Sequence, residues 1–240
     1  MRTLPDARLA LAASFVRPQT VFADIGSDHA YLTCYLLATG RIRQAVVTDV
    51  REGPLLRAEK HLAEAGLLSR VRLLRTDGLH GLDTAGLQDI AICGMGGELI
   101  VRILAPAVFL RDPQIRLILQ PMTHAGDLRL FLAANGFAVL DEKYAEASGR
   151  IYCCLCACYD GIVRRLSEAE AAFGRMPDPQ DAGQLALFRT MLTRQAAVLR
   201  RRIAGLSGSG RDASASEQLL QLCLHILNQT GDSYDCKATV

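Results

Sequence analysis

The chain has little charge of one sign to spare: 27 Lys and Arg face 25 Asp and Glu, a formal net charge of +2 over 240 residues. A protein wrapped all round in basic charge is excluded, whereas a local basic patch is not. Lysine is scarce, three residues in all, so nearly every cation is an arginine. No apolar run approaches the roughly 18 residues that a membrane crossing needs. The apolar stretch Leu9 to Val16 behind Arg8 is short for a signal peptide, and Arg17-Pro18 stand where small cleavage-site residues belong. It reads as an amphipathic opening helix of a soluble, cytoplasmic protein with no membrane partner. No internal repeat is present, nor a second CxxC or a His-x-His pair. What remains is an ordinary globular composition, half apolar and 22% charged.

Four of the eight cysteines, Cys153, Cys154, Cys156 and Cys158, crowd within the apolar, aromatic run Ile151 to Tyr159. That run reads as a buried strand. On a strand, Cys153 and Cys156 point to opposite faces, and Cys154, Cys156 and Cys158 step about 6.6 Å apart, too far for one tetrahedral ion. Reduced core thiols are expected, and no metal.

Five short apolar runs, Val21–Ile25, Ala45–Asp49, Val71–Leu74, Ile90–Ile92 and Ile115–Leu119, alternate with helical stretches near His29–Ala38, Pro54–Ala65, Gly97–Leu104 and Gly126–Ala134. Such alternation implies a parallel sheet with helices on both faces. Phe137–Tyr144 and Arg150–Tyr159 follow with no helix between them, so the sheet ends in a hairpin and one strand runs antiparallel. The expected fold is α/β: a Rossmann-like, doubly wound, mostly parallel seven-stranded sheet over residues 1–160. A C-terminal α-helical hairpin is expected over 161–230 and a flexible tail over 231–240. Capping boxes are expected at Ser167-x-x-Glu170 and Ser214-x-x-Glu217, an N-cap at Asp178 before Pro179, and a turn over Gly205–Ser214. Between Ala182 and Arg211 there are six arginines, Arg189, Arg194, Arg200, Arg201, Arg202 and Arg211, and no acid. The run is either a solvated helix face or an anion-binding surface.

The informative site is Asp24-Ile25-Gly26-Ser27-Asp28-His29-Ala30, where an acid closes the first strand, a glycine turns the chain and a helix begins. In a doubly wound sheet, nucleotide-like ligands bind outside the carboxyl ends of the strands. A dinucleotide pyrophosphate needs G-x-G-x-x-G; here the second and third glycines are absent, and Asp24 and Asp28 place negative charge where the anion would sit. The same acids suit an ammonium or a sulfonium, both of which S-adenosylmethionine carries without phosphate. Asp49, with Val50 after it, ends the second strand, where a carboxylate can accept both hydroxyls of a ribose. Asp77, before Gly78, follows the third strand, where it can accept from an adenine amino group. Asp24, Gly26, Ser27, His29, Asp49, Val50, Asp77 and Gly78 are therefore the candidate donor-binding residues. A histidine or aspartate at a helix start is also a common cap, and Tyr31 reads as core packing.

Asp24-Ile-Gly-Ser-Asp-His-Ala-Tyr-Leu32, Gly53-Pro-Leu55, Asp77-Gly-Leu79, Gly94-Met-Gly-Gly97 and Leu119-Gln-Pro121 together resemble the bacterial tRNA (adenine-22-N1)-methyltransferase family. The resemblance runs in order from about Arg8 to Tyr159, and the helical C-terminal hairpin fits the same plan. It implies a class I methyltransferase domain, a helical pair that helps hold tRNA, and methylation of N1 of adenine 22 in the D-arm. S-adenosylmethionine would be consumed and S-adenosylhomocysteine released. Three positions depart from the family pattern: Thr33 replaces Pro, Asp49 replaces Glu, and Met122 replaces an Asn able to hydrogen-bond the target base.

Neutral adenine offers N1 as an in-plane lone pair, so no proton need leave before attack. The candidate catalytic residues are Asp28, to stabilise the cationic product, and Gly94, Met95 and Gly96, whose side-chain-poor backbone makes a wall for a flat base. The glycine string is also what a tight strand-to-helix turn requires. Arg189, Arg194, Arg200, Arg201 and Arg202 are the candidate RNA contacts. A monomer or weak homo-oligomer is expected. Two rival readings remain: a methyltransferase for another RNA position or a small molecule, and a catalytically silent RNA-binding module.

Overall fold

The computed structural model describes residues 6–235, with side chains through residue 230. It divides into two compact units that meet in sequence at Arg165 and Leu166.

The first unit opens with α1 (Ala7–Phe15), capped by Asp6, whose carboxylate accepts the Leu9 N–H at 2.8 Å. Seven strands follow: β1 (Thr20–Ile25), β2 (Ile42–Asp49), β3 (Val71–Arg75), β4 (Leu87–Met95), β5 (Arg116–Pro121), β6 (Phe137–Ala147) and β7 (Arg150–Tyr159). Between them run α2 (Tyr31–Ala38), α3 (Glu52–Glu64), α4 (Gly97–Leu104) and α5 (Ala125–Ala134). The strand order is β3-β2-β1-β4-β5-β7-β6. Pairing is parallel from β3 to β5, and β7 runs antiparallel to both β5 and β6, as the helix-free hairpin requires. The order reverses between β1 and β4, and that switch point opens a crevice at the carboxyl ends of the strands.

A sheet covered on both faces sends alternate side chains into two cores. Phe22, Val47 and Ile118 face one, packed with Leu36 and Leu37 of α2 and Leu62 of α3; Ile25, Ile92, Leu117 and Leu119 face the other, with Ile100 of α4 and Leu128 of α5. The β7 cysteines follow the same alternation, Cys154 and Cys156 in the first core and Cys153 beside the second. Burial pushes the Cys153 thiol up to about 12 and Cys156 up to about 11, so both stay protonated. At the opposite end of the sheet from the crevice, fully buried Asp89 accepts both the backbone N–H of Arg17 (2.6 Å) and its Nε (2.7 Å). This pair fastens the segment after α1 to β4.

The second unit holds α6 (Glu168–Phe173), α7 (Ala182–Gly208) and α8 (Ser214–Asp235). Leu185, Phe188, Leu192, Ala196 and Leu199 are the buried stripe of α7, which packs on α8. The Ser167–Glu170 capping box forms as expected. The other two caps differ. Asp181, not Asp178, caps α7 by accepting the Gln184 N–H at 3.0 Å, while Asp178 closes the preceding turn on Gln180. Ser214 is the first helical residue of α8, its N–H given to Asp212 rather than engaged in a box with Glu217. The expected turn at 205–214 shrinks to 209–213, because α7 runs on to a Schellman close. Arg211 N–H reaches the Leu206 carbonyl (2.9 Å) and Gly210 N–H that of Ser207 (3.1 Å), with Gly210 at φ +67°. Where a flexible tail was expected, the helix continues to Asp235; residues 236–240 lie outside the described residues. No described helix is long and apolar enough to cross a membrane.

Candidate active site

Gly26 turns the chain out of β1 at φ +68°, and its N–H and that of Ser27 both bond the Thr48 carbonyl of β2 (2.8 and 3.0 Å). The turn is thereby pinned to the neighbouring strand. Asp24 lies at the end of β1, only 4% exposed, and its Oδ2 accepts the hydroxyls of Ser27 (2.9 Å) and Thr33 (2.8 Å). Burial pushes its carboxyl above the ordinary carboxylate range, and the two hydroxyls pull it partly back. Thr33, the residue that departs from the family's Pro, therefore has work in the site: it is buried and orients Asp24.

Asp24, Gly26, Ser27, Asp28, His29 and Gly94 come together around one crevice of about 250 Å³, with Arg8 and Leu9 of α1, Ala30, Tyr31, Leu32 and Cys93. Asp28 is half exposed, and its Oδ1 is held by Nε and Nη2 of Arg57 on α3, both at 2.7 Å. His29 is not a helix cap, because α2 starts beyond left-handed Ala30 with no side-chain cap. Its ring stacks on Tyr31 (centroids 5.1 Å, planes 14° apart), and Tyr31 meets the edge of His61 at 5.0 Å. His61 Nδ1 lies 2.8 Å from the His29 carbonyl. The expectation of Tyr31 as core packing fails: its ring is 42% exposed at the rim of the crevice and, with His29, offers an aromatic face to a flat ligand.

The other two acids stand at the ends of the next strands in the sheet. Asp49 is nearly buried and accepts the Arg51 N–H at 2.8 Å, with Val50 exposed beside it. Asp77 is exposed, its carboxylate in no hydrogen bond among the described residues. With Gly78 it borders a second, larger cavity of about 520 Å³, walled mainly by apolar side chains such as Leu79, Leu99, Ile103 and Phe109. Size does not pick out the chemistry here: the acids that suit a cation border the smaller crevice.

Of the string Gly94-Met95-Gly96-Gly97, Gly94 borders the crevice, while Met95, Gly96 and Gly97 are not among its lining residues. The β4–β5 register slips between Cys93 and Met95, and Gly94 takes φ +80° at the slip. A Cβ at Gly97 would sit 2.1 Å from the His124 carbonyl oxygen, so close backbone packing demands glycine there. Met95 carries its methyl to within 1.9 Å of where a Gly26 Cβ would be, which closes the two walls on each other. Met122 follows β5, 40% exposed, its N–H on the Met95 carbonyl at 2.7 Å. Sequence reading missed three side chains. Arg8 of α1 borders the crevice, and Gln120 of β5 and Arg57 of α3 stand behind it, bonded to its lining residues Gly94 and Asp28; only the fold brings them there.

In the helical unit the arginines divide. Arg189 is half-buried and its Nη1 reaches Thr230 Oγ1 at 3.1 Å, a bond within the hairpin. Arg194, Arg200, Arg201 and Arg202 are exposed. The last three meet no carboxylate among the described residues.

The comparisons agree with one another. The family described as "Methyltransferase domain" matches residues 5–155. The tRNA (adenine(22)-N(1))-methyltransferase of Bacillus subtilis is 34% identical over 166 residues, 69% of this chain and 67% of its own length. The crystal structure of the B. subtilis m1A22 tRNA methyltransferase TrmK superposes with a TM-score of 0.76 at 28% identity, covering 97% of this chain and 99% of that one. Streptococcus pneumoniae Sp1610, in complex with S-adenosyl-L-methionine, superposes at 0.79 with 30% identity over 92% of this chain and 98% of its own. With its methyltransferase domain, its matching sheet and its acid-ended strands, this chain belongs to the tRNA (adenine(22)-N(1))-methyltransferase family.

Proposed function

We propose that the chain transfers a methyl group from S-adenosylmethionine to N1 of adenine 22 in the D-arm of tRNA. One observation carries the reading: a glycine turn at the sheet's switch point is bordered by buried Asp24 and by Asp28. Two acids repel a pyrophosphate and attract a cation. The residues fit the donor: Asp24 suits its ammonium, Asp49 its ribose hydroxyls and Asp77 its adenine amine, while the φ +68° turn at Gly26 makes room for the Met95 methyl behind the loop. The S. pneumoniae neighbour, crystallised with the same donor, supports the assignment. When bound, S-adenosylmethionine supplies a methyl group made electrophilic by its sulfonium.

The chain's own task is placement. N1 needs no base to deprotonate it, so the work is to hold the nitrogen in line, about 3 Å from the methyl carbon, and to exclude water. N1 lies on the pairing edge, so the base must leave its stack first. His29 and Tyr31 offer a face for it to stack on. Asp28 is the carboxylate best placed to offset the positive charge that grows on the ring. Its pairing with Arg57 lowers the negative potential it can apply. Arg194, Arg200, Arg201 and Arg202 are assigned to phosphate contacts; Arg189 contributes by bracing the hairpin. The sheet unit is the methyltransferase domain and the helical unit the tRNA-holding one, and tRNA as substrate implies action in the cytoplasm.

Incubation with methyl-labelled donor, and either unmodified tRNA or free adenosine, tests the substrate class. Label should enter tRNA and not adenosine. Label in adenosine would favour a small-molecule enzyme, and label in neither would favour a silent binding module.

A further inference from the structure

A base taken out of its stack leaves its sugar-phosphate backbone at the mouth of the site, and that backbone must be held if N1 is to stay in line. A cation at the mouth is free to hold a phosphate when no neighbouring acid or carbonyl already engages it. Around the carboxyl ends of the strands most cations are engaged. Arg57 is bonded to Asp28, Arg51 lies 3.8 Å from Asp49, and Arg75 Nε donates to the Val50 carbonyl at 3.4 Å. His124 sits between Glu98 at 3.6 Å and Asp127 at 3.2 Å. Arg150 differs from all of these: it is exposed, and its guanidinium meets no carboxylate or carbonyl among the described residues.

The fold carries Arg150 past the end of the sheet on a stiff arm. β7 pairs with β5 only as far as Leu119 opposite Leu155, whereas its ladder with β6 runs on to Ala147 opposite Arg150. Five residues of β7, Arg150 to Cys154, extend beyond that last β5 pair, roughly 17 Å of hairpin on the side of the sheet where the crevice opens. Ser148 and Gly149 close the arm at φ +49° and +71°, the two left-handed residues of a tight turn that matches strand twist. The ladder is unbulged from Asp141 opposite Cys156 to the tip. Strand alternation sets Arg150 on the face of Tyr152 and Cys154, and Cys154 belongs to the core that α1 covers. The Tyr152 ring lies 5.9 Å from the guanidinium of Arg8, a residue bordering the crevice. Arg150 therefore stands two residues, about 7 Å along the strand, beyond a side chain already at the site. Glu146, the acid of the arm, is opposite Ile151 and so falls on the other face.

Resting on the tRNA reading above, we propose that the β6–β7 arm is a second RNA-contact surface, on which Arg150 takes a backbone phosphate flanking adenine 22. The arginines of α7 are assigned to general affinity for tRNA, and Arg150 to the placing of one nucleotide.

The test uses the full chain and unmodified tRNA, with affinity titrated at several salt concentrations. Arg150→Gln should weaken tRNA binding about tenfold at low salt and lower the salt slope by about 0.7 to 0.9, the share of one phosphate. Arg150→Lys should keep the slope, and donor affinity should match wild type in both variants. Two further tRNAs, each with one neutral methylphosphonate linkage, 5′ or 3′ of adenine 22, locate the contact. One of them should cost wild type about tenfold and Arg150→Gln less than about twofold, because that variant has no contact left to lose. An unchanged slope in Arg150→Gln overturns the proposal, and so does a linkage penalty equal in the two proteins. Absence of methyl transfer by wild type would defeat the reading of its function, while the slope still decides whether Arg150 meets RNA.

Discussion

Arginine does opposite work in the two units of the molecule. In the sheet unit Arg8 bonds Gln120, Arg17 clamps Asp89, Arg57 holds Asp28, and buried Arg129 pairs with Glu142 at 2.5 Å. Arg70 is turned onto the carbonyls of Leu37, Ile42 and Arg43. In the helical unit Arg200, Arg201 and Arg202 stand exposed in a stretch without a single acid. A guanidinium bonded to a carboxylate or a carbonyl is neutralised or fixed where it lies and serves the fold. A row without partners keeps its field for an outside polyanion. In a chain of +2 net charge, position and pairing rather than total charge decide which surface keeps a basic field.

The largest effect should come from breaking an arginine of the first kind. Asp89→Ala leaves the Arg17 guanidinium and backbone N–H without their buried acceptor. It should lower unfolding free energy by about 3 to 4 kcal/mol in urea titration. Smaller, and opposite in its two readouts, is Asp24→Asn. Donor affinity should fall by about 100-fold through loss of a charge-assisted contact. The folded chain should nonetheless become more stable at neutral pH. The sign follows from the raised carboxyl: the folded state holds that proton more tightly than the unfolded one. The wild type is therefore relieved of its buried charge at acid pH and pays for it as pH rises through the raised value. The variant's stability advantage should accordingly vanish on acidification, in thermal melts recorded across pH.

Arginines of the second kind should behave differently. Replacing Arg200, Arg201 and Arg202 with Gln should leave donor affinity and unfolding midpoint nearly unchanged. The salt slope of tRNA binding should fall by about 2 to 3, at roughly one unit or less per lost phosphate contact. An unchanged slope would erase the contrast between the units. The smallest expected change is a gain. Met122→Asn puts an amide in place of the thioether that Gln120 Nε2 reaches at 3.6 Å, and should raise turnover on tRNA several-fold by one added hydrogen bond to the base.

What was legible in the sequence was what repeats locally. Apolar runs broken by amphipathic stretches located all seven strands, and the change of rhythm after Gly136 marked the terminal hairpin. The acid-glycine turn and the glycine string were legible because their chemistry sits within a few consecutive residues. The side chains that complete the crevice were not, because Arg8 and Gln120 lie 112 positions apart and Arg57 and Asp28 lie 29 apart. No local period encodes such pairs. Tyr31 misled for a related reason: an aromatic at a helix start looks like core until the fold shows that its face of α2 borders an opening. The helix end after Gly205 misled because glycine and serine read as a break, whereas the Schellman close at Gly210 lets one more turn form.

The central claim is the attachment of a methyl group to one nitrogen of one tRNA base. Unmodified tRNA transcripts with adenine or guanine at position 22, incubated with the chain and S-adenosylmethionine, digested to nucleosides and analysed by mass spectrometry, test it directly. The adenine-22 transcript should yield about one 1-methyladenosine per molecule at saturation, and the guanine-22 transcript none. Equal 1-methyladenosine from both transcripts, or a different methylated nucleoside from the first, would contradict the account.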